Sequence, residues 1–550
     1  MYTSKSQKRE SHDGSGAGSG IASGERRTEE GPTQSRCLSA FIVALNQIYG
    51  GNRWYCSSTK ELQLASTEFC ALCRSVMTLR LTVDAETPRR LLAATDASLN
   101  PGERRSTRVP RLRARAVTWG LESAAPLAAP IYALTNVESI TFDACFNDSL
   151  DAVVWPVSLN AIVFRDGQFD KSIDHVVWPT SLQHLDLGVR FNRPVLEVSW
   201  PVSLQRLVLG GAFNRTVRGV SWPSSLQYLE FGDRFDQRIN GIRWPSSLQV
   251  VKFGAAFDRG IAFVVWPASL RQLEFGREFC RDLSRLQWPP SLQRLACGGI
   301  YHVHAIVWSA SLQQLDLGCN FNSTIRGLVW PASLTQLSLG RRFNQDVFGV
   351  TWPASLTQLE FGHNFNMDIE GVMWPPSLQR LIFGRCFNQL VEEVSWPASL
   401  EQVIFGENFN QSVSRLTWPV CLQQLEFGRA FNQPVEGVSL PPSLQRLIFG
   451  TSFNKAIDRV AWPASLRKLE LGARFNQPLH DLATWIPSLL EFTLMTPRWL
   501  YRHTLVGVRW PAAIQKITVD KGWARGAREE TDLFPRLVRV VYCDYRGTWR

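Results

Sequence analysis

Residues 330–351 read W-P-A-S-L-T-Q-L-S-L-G-R-R-F-N-Q-D-V-F-G-V-T, and close variants of this stretch follow one another from about residue 133 to residue 484. Tryptophan alone shows the period. Trp200, Trp222, Trp244, Trp266 and Trp288 step by 22, as do Trp308, Trp330, Trp352, Trp374, Trp396 and Trp418, and the phase persists through Leu440 to Trp462. Self-similarity at this period marks a solenoid, in which one coil cannot bury its own apolar face and must stack on its neighbours. Sixteen copies can be counted from Ala133, so the 550 residues predict one long domain rather than several globules.

With Trp as position 1, the repeat is W-P-x-S-L-Q-x-L-x-F-G-x-x-F-N-x-x-V-x-x-V-x. Apolar and polar residues alternate around positions 8 and 10, as at Leu359 and Phe361, which defines a half-buried strand. A second short alternation joins position 21 to the next Trp, as at Val350 and Trp352, and is cut off by Pro353. The pattern therefore predicts a mostly β, leucine-rich-repeat-like solenoid with two strands per coil, stacked into two parallel β-sheets. Gly at position 11, as at Gly340, Gly362 and Gly384, is expected to allow the turn that leaves the first strand. Asn at position 15, as at Asn344, Asn388 and Asn432, recurs too regularly for a reactive group. It is expected to form a ladder of hydrogen bonds to the turn backbone.

The ends differ from this body. Residues 1–36 hold almost no large apolar side chains and are expected to be a disordered tail. Leu38, Phe41, Ile42, Leu45 and Ile48, and then Leu62, Ala65, Phe69, Leu72 and Val76, fall at helical spacing, with Ser58 and Glu61 placed as a capping box. Leu79, Leu81 and Val83 then alternate like a strand, and residues 37–83 together read as a helical N-terminal cap, closing the open edge of the first coil. Residues 84–132, rich in Arg, Pro and Ala, read as a basic linker. Residues 133–484 are the solenoid, and residues 485–550 are degenerate repeats and a C-terminal cap, with Ile514, Ile517 and Val519 in strand columns. Two residues are missing between Gly298 and Trp308, where Ile300, Tyr301 and His302 replace Phe-Asn, and a kink is expected there.

The net charge of +11 belongs to the flanks. Residues 131–497 carry 30 basic and 31 acidic groups, whereas Arg104, Arg105, Arg108, Arg111, Arg113 and Arg115 crowd one short segment. Nucleic acid is thus not the expected partner of the solenoid body. Eleven scattered cysteines show no disulfide framework, and neither an apolar leader nor an 18-residue apolar span is present, so a cytoplasmic, intracellular protein without a membrane anchor is expected. Asn147, Asn214, Asn322 and Asn410 stand in glycosylation sequons but also in the Asn column, which favours the structural role.

Residues 431–434 (F-N-Q-P) and 475–478 (F-N-Q-P), each after S-L-x-x-L-x-F/L-G, resemble the FNIP repeat, a 22-residue relative of the leucine-rich repeat. The resemblance spans residues 133–484. It departs from the family in having Gln or Arg in place of Ile, Pro at position 17 only in Pro194, Pro434 and Pro478, and Trp-Pro in place of Leu-Pro except at Leu440-Pro441. It implies a repeat scaffold for protein contacts.

No residue set points to chemistry. Cys70-x-x-Cys73, with Cys56 and Cys37 upstream, offers one tight couple where a zinc site needs two. His302 and His304 lack a third ligand nearby, and no nucleotide loop, zinc-protease or nucleophile-elbow motif occurs. No metal, cofactor or catalytic residue is therefore assigned. The informative columns project from the first sheet. Position 9 runs Asp186, Val208, Glu230, Lys252, Glu274, Ala296, Asp316, Ser338, Glu360, Ile382, Ile404, Glu426, Ile448, Glu470, and no two adjacent coils both carry an acid. Stacked carboxylates about 4.8 Å apart would repel by roughly 1 kcal/mol even in water, so the rule supports an in-register stack. The apolar part of this face, Arg380, Ile382, Ile404, Arg446 and Ile448, is the expected protein-binding surface of a non-catalytic scaffold. Two alternatives stand beside it: a nucleic-acid or acidic-surface binder through the basic flanks, and an enzyme activity within residues 37–130.

Overall fold

The computed structural model describes residues 80–83, 116–119, 137–165, 167–300, 302–523, 534 and 538–543. All lie in one of two compact units of the chain, Ala71–Pro88 with Arg104–Arg550. The helical cap expected over residues 37–83 falls outside the described residues apart from its last four. These form β1 (Arg80–Val83), which pairs in parallel with β2 (Ala116–Trp119), and β2 pairs with β3 (Ser139–Phe142). The sheet thus begins upstream of the first coil that the Trp period reveals.

After β4 (Ala161–Phe164), the rungs are three residues long: β5 (His184–Asp186), β6 (Arg206–Val208), β7 (Tyr228–Glu230), β8 (Val250–Lys252), β9 (Gln272–Glu274) and β10 (Arg294–Ala296). The series continues through β11 (Gln314–Asp316), β12 (Gln336–Ser338), β13 (Gln358–Glu360), β14 (Arg380–Ile382), β15 (Gln402–Ile404), β16 (Gln424–Glu426) and β17 (Arg446–Ile448). Longer strands finish it: β18 (Lys468–Leu471), β19 (Glu491–Leu494), β20 (Lys516–Asp520) and β21 (Arg539–Cys543). Each strand pairs in parallel with the next, and equivalent residues face each other, as Leu359 faces Leu381.

Among the described residues all 21 strands belong to one sheet, so the expectation of two sheets through the coils is corrected. Val350 and Trp352 are buried as the alternation implied, but their backbone is used differently. The Val350 N–H is accepted by the Val347 carbonyl of its own coil at 3.3 Å, and Pro353 has no N–H to give. The Trp side chains stack here instead, with the Trp330 and Trp352 ring centroids 6.4 Å apart. Outside its strand each coil spends its backbone on three tight turns. In the coil of Trp330 and those beside it, Leu334 N–H bonds Pro331 O, Phe343 N–H bonds Gly340 O, and Val350 N–H bonds Val347 O. Each turn closes on an apolar residue that is buried in the core.

Three polar columns tie the coils together. The Asn ladder is present: Asn344 Oδ1 accepts the Asn366 N–H, Asn366 accepts Asn388, and the series continues through Asn410, Asn432, Asn454 and Asn476 to Arg502. All four sequon asparagines take part as acceptors. At position 4, Ser355 and its equivalents donate Oγ–H to the position-5 carbonyl of the preceding coil. At position 16, Gln389, Gln411 and Gln433 donate to the position-15 carbonyl one coil back, and Arg193, Arg215, Arg259 and Arg281 do so through Nε. This explains the departure from Ile at that position: an amide or guanidinium here caps a carbonyl that Ile would leave bare.

The Gly column has a cause besides the turn. Gly340 has φ 79°, which fits the expectation, but Gly362 and Gly384 are not in that conformation. A Cβ on Gly362 would lie 1.4 Å from the Gly340 carbonyl oxygen, so close backbone approach between coils is what excludes a side chain.

The shortened coil interrupts both ladders. The Phe stack of position 14 runs from Phe146 to Phe279 and again from Phe321 to Phe475, with Ile300 between. The Asn ladder stops at Cys280 and resumes at Asn322. His302 adopts a left-handed backbone, φ 56°, and Asn320 Nδ2 reaches past the short coil to Arg277 O at 2.8 Å. Near the C-terminal end, α1 (Leu482–Trp485) is capped by Asp481, whose Oδ1 accepts the Thr484 N–H.

Candidate functional site

Strand positions 7 and 9 point out of the sheet while position 8 is buried, as the pattern in β14 and β15 shows. This outward face is continuous over the stack, yet its two halves differ in how far their polar groups satisfy one another.

From β5 to β10 the charged groups of the face meet one another, although His184 Nε2 on β5 is shielded and has no partner among the described residues. The Arg206 guanidinium lies 3.6 Å over the Tyr228 ring and 3.7 Å from Glu230, and Tyr228 Oη donates to Glu230 in a short bond. Burial, then the Glu230 carboxylate, pushes the Tyr228 phenol up to about 12. Burial and Arg206 together hold His184 below the ordinary imidazole value. Glu274 receives Lys252 at 2.7 Å, Arg294 at 3.4 Å and Gln272 Nε2 at 2.7 Å.

From β13 to β18 the shielded atoms of the face without a partner belong to guanidiniums. Nε of Arg380 and of Arg446 is shielded from solvent and has no hydrogen-bond partner among the described residues. Ile382 and Ile404, side by side in register, are half-buried. Desolvation by burial raises the carboxyls of Glu360, Glu426 and Glu470 above the ordinary value, despite the opposing pull of Arg380, Arg446 and Lys468. For Glu360 the carboxylate of Asp316, two coils away, adds to the rise. A dry patch with two guanidiniums, two aliphatic residues and reluctant carboxylates is the composition expected at the centre of a recognition surface.

Of the five residues expected on this surface, Arg380, Ile382, Ile404 and Arg446 stand together on it. Ile448 is a correction. Although at position 9, it is only 2% exposed, in register with Glu426 and with the 6% exposed Glu470. The sheet face is crowded enough there to cover a side chain that alternation alone would place in solvent.

Elsewhere among the described residues no cluster forms a reaction centre. Cys37, Cys56, Cys70 and Cys73 lie outside the described residues. His304 Nε2 bonds Thr324 O of the next coil at 3.0 Å, and His302 is exposed. Cys386 Sγ is 4.0 Å from His363 Nδ1, the same nitrogen that meets Asn364 Oδ1 at 2.9 Å, so the three do not form a relay. Among the described residues no group of three or more His, Cys, Asp or Glu is arranged to hold a metal, and no helix is long and apolar enough to cross a membrane. The sequence reading missed the Tyr228–Glu230–Arg206 cluster. Its signal was the tyrosine in column 7, directly after an Arg in the same column and two residues before an acid.

No curated protein sequence is similar to the chain. Several solved structures are similar to the chain. CroV588, described as a circular LRR protein, is 28% identical over 79% of this chain and 79% of its own, with a TM-score of 0.49. TLR13 in a complex with ssRNA13 is 13% identical over 79% of this chain and 83% of its own, at 0.48. YopM from Yersinia enterocolitica is 17% identical over 82% of this chain and 93% of its own, at 0.42. The FNIP repeat family model matches residues 213–256, 343–386, 409–452 and 431–473. Those four matches fall within coils that carry the Asn ladder and the Phe stack, so these stretches of the chain match the FNIP repeat.

Proposed function

We propose that the protein is a non-catalytic scaffold that binds a protein partner through the outward face of its sheet between β13 and β18, with Arg380, Ile382, Ile404 and Arg446 as the contact residues. The observation that carries this reading is the pair of solvent-shielded, partnerless Nε donors on Arg380 and Arg446, set beside an aliphatic pair. A buried donor without an acceptor is unfavourable by about 1–3 kcal/mol, and a partner's carbonyl or carboxylate removes that penalty on binding. In the N-terminal half of the same face the charged groups already meet one another, and His184 Nε2 is the one shielded, partnerless side-chain atom of its strands.

The test is quantitative capture by the full-length chain and by a variant carrying Arg380→Ala, Ile382→Ala, Ile404→Ala and Arg446→Ala. The reading expects an unchanged unfolding profile, because these side chains stand outside the core, and loss of the captured protein. Undiminished capture by the variant refutes it. A second arm deletes residues 1–130: retained capture that tolerates salt agrees with the sheet face, and a steep loss with salt points to the basic flanks instead.

A further inference from the structure

One other side of every coil is almost without charge. Positions 22 and 3 flank Trp-Pro and supply 30 residues over the fifteen coils from Val154 to Ala464, of which Arg243 alone is charged. The chain-wide share of 19% would supply about six, and solvent-facing positions normally carry more than the average. All thirty are exposed. Val265, Val307, Val329 and Met373 at position 22 are 83%, 81%, 82% and 79% exposed, and Val202 and Val420 at position 3 are 77% and 67% exposed. Between the two columns lies the row of Trp-Pro pairs, whose rings are held at 5.5 to 6.4 Å from coil to coil. The result is a nearly uncharged strip, apolar at 19 of its 30 flanking positions and Ser, Thr or Gln at ten, bordered by the turn at positions 18–21 and the turn at positions 2–5, and separate from the sheet face.

We propose that two copies of the chain pair through this strip, running antiparallel about a twofold axis. The absence of charge removes any attraction for nucleic acid, an anionic surface or a charged protein. The spacing selects further. An apolar helix advances about 5.4 Å per turn, so it drifts a full rung out of step within roughly eight coils, whereas a second strip keeps the same period over its whole length. The area is sufficient. Fifteen coils at the Trp spacing give a length of roughly 85 Å, four residues of extended chain give a width of about 10 Å, and the product is close to the ~800 Å² per partner of a stable interface. A twofold axis through the middle coil, that of Trp308, places Val307 against its own copy and Val329 one rung away.

The experiment is sedimentation equilibrium on the full-length chain, on Val307→Glu with Val329→Glu, and on the four-site sheet-face variant. The proposal expects a dimer for the parent chain and for the sheet-face variant, and a dimer weakened at least a hundredfold by the glutamates, because like charges would meet across the axis. Both valines are four-fifths exposed, so an unchanged circular-dichroism melt will show that the double variant still folds. A parent chain that stays monomeric at about 100 µM overturns the proposal. So does a dimer that the glutamates leave intact.

Discussion

Asn410 tests the ladder that holds the coils in register. Its Oδ1 accepts the Asn432 N–H at 2.8 Å and Gln433 Nε2 at 3.2 Å, while its own N–H is accepted by Asn388. Asn410→Ala removes the acceptor and leaves a backbone donor without a partner at a half-buried position. The unpaired donor is unfavourable by about 1–3 kcal/mol and the lost amide contact adds about 0.5, so a loss near 2 kcal/mol is expected. Asn410→Asp keeps an oxygen in place, and Asp170, Asp236 and Asp258 already perform the acceptor role in the N-terminal coils. Asp should therefore be within about 0.5 kcal/mol of the parent chain. A long repeat array need not unfold in one step, so the assay is local: hydrogen exchange of the peptide spanning residues 428–436. Faster exchange of the Asn432 amide in the Ala variant, with near-parental exchange in the Asp variant, is the predicted result. Equal loss in both variants would refute the acceptor role and leave only the amide group as the cause.

Gly406→Ala should unfold the neighbouring coils locally. Its Cβ would fall 1.7 Å from the Gly384 carbonyl oxygen, a clash with backbone that places the loss at or above the top of the ~1–3 kcal/mol range of ordinary overpacking, measurable by urea unfolding. Ile448→Ala should lower stability by about 2–5 kcal/mol, where a solvent-facing isoleucine would lose almost nothing; thermal unfolding distinguishes the two. Glu470→Gln should stabilise the protein at pH 7. Burial raises this carboxyl above its ordinary value of 4.5, so the stability linked to its protonated form is present below that value and is lost as pH rises through the folded one. The advantage of the Gln variant should shrink toward pH 4 in thermal melts.

The period, the buried columns and the Asn ladder were legible because each recurs in every coil, and recurrence separates a packing role from a local accident. The second sheet was misread because alternation reports burial, not hydrogen bonding. Val350 and Trp352 alternate with polar neighbours, yet the Val350 N–H closes a turn within its own coil and Pro353 has no N–H to give to a ladder. The Gly column was legible as a need for Gly, but the sequence does not show how near Gly340 comes to Gly362. On the sheet face, columns 7 and 9 named the candidate residues. Which of them already have partners depends on reach across neighbouring coils, as when Arg206 spans Tyr228 to Glu230 while Nε of Arg380 and Arg446 finds nothing.

Site-directed photo-crosslinking tests the binding face most directly. A benzophenone side chain placed at Gln402, on β15 between the strands that carry Arg380 and Arg446, should join a partner protein in extracts of the native cell. The same group at Asn408, on the corner after that strand, should not. Adducts at position 402 that disappear with Arg380→Ala and Arg446→Ala are the predicted result. Adducts at position 408 with none at position 402 would contradict the sheet face as the binding surface.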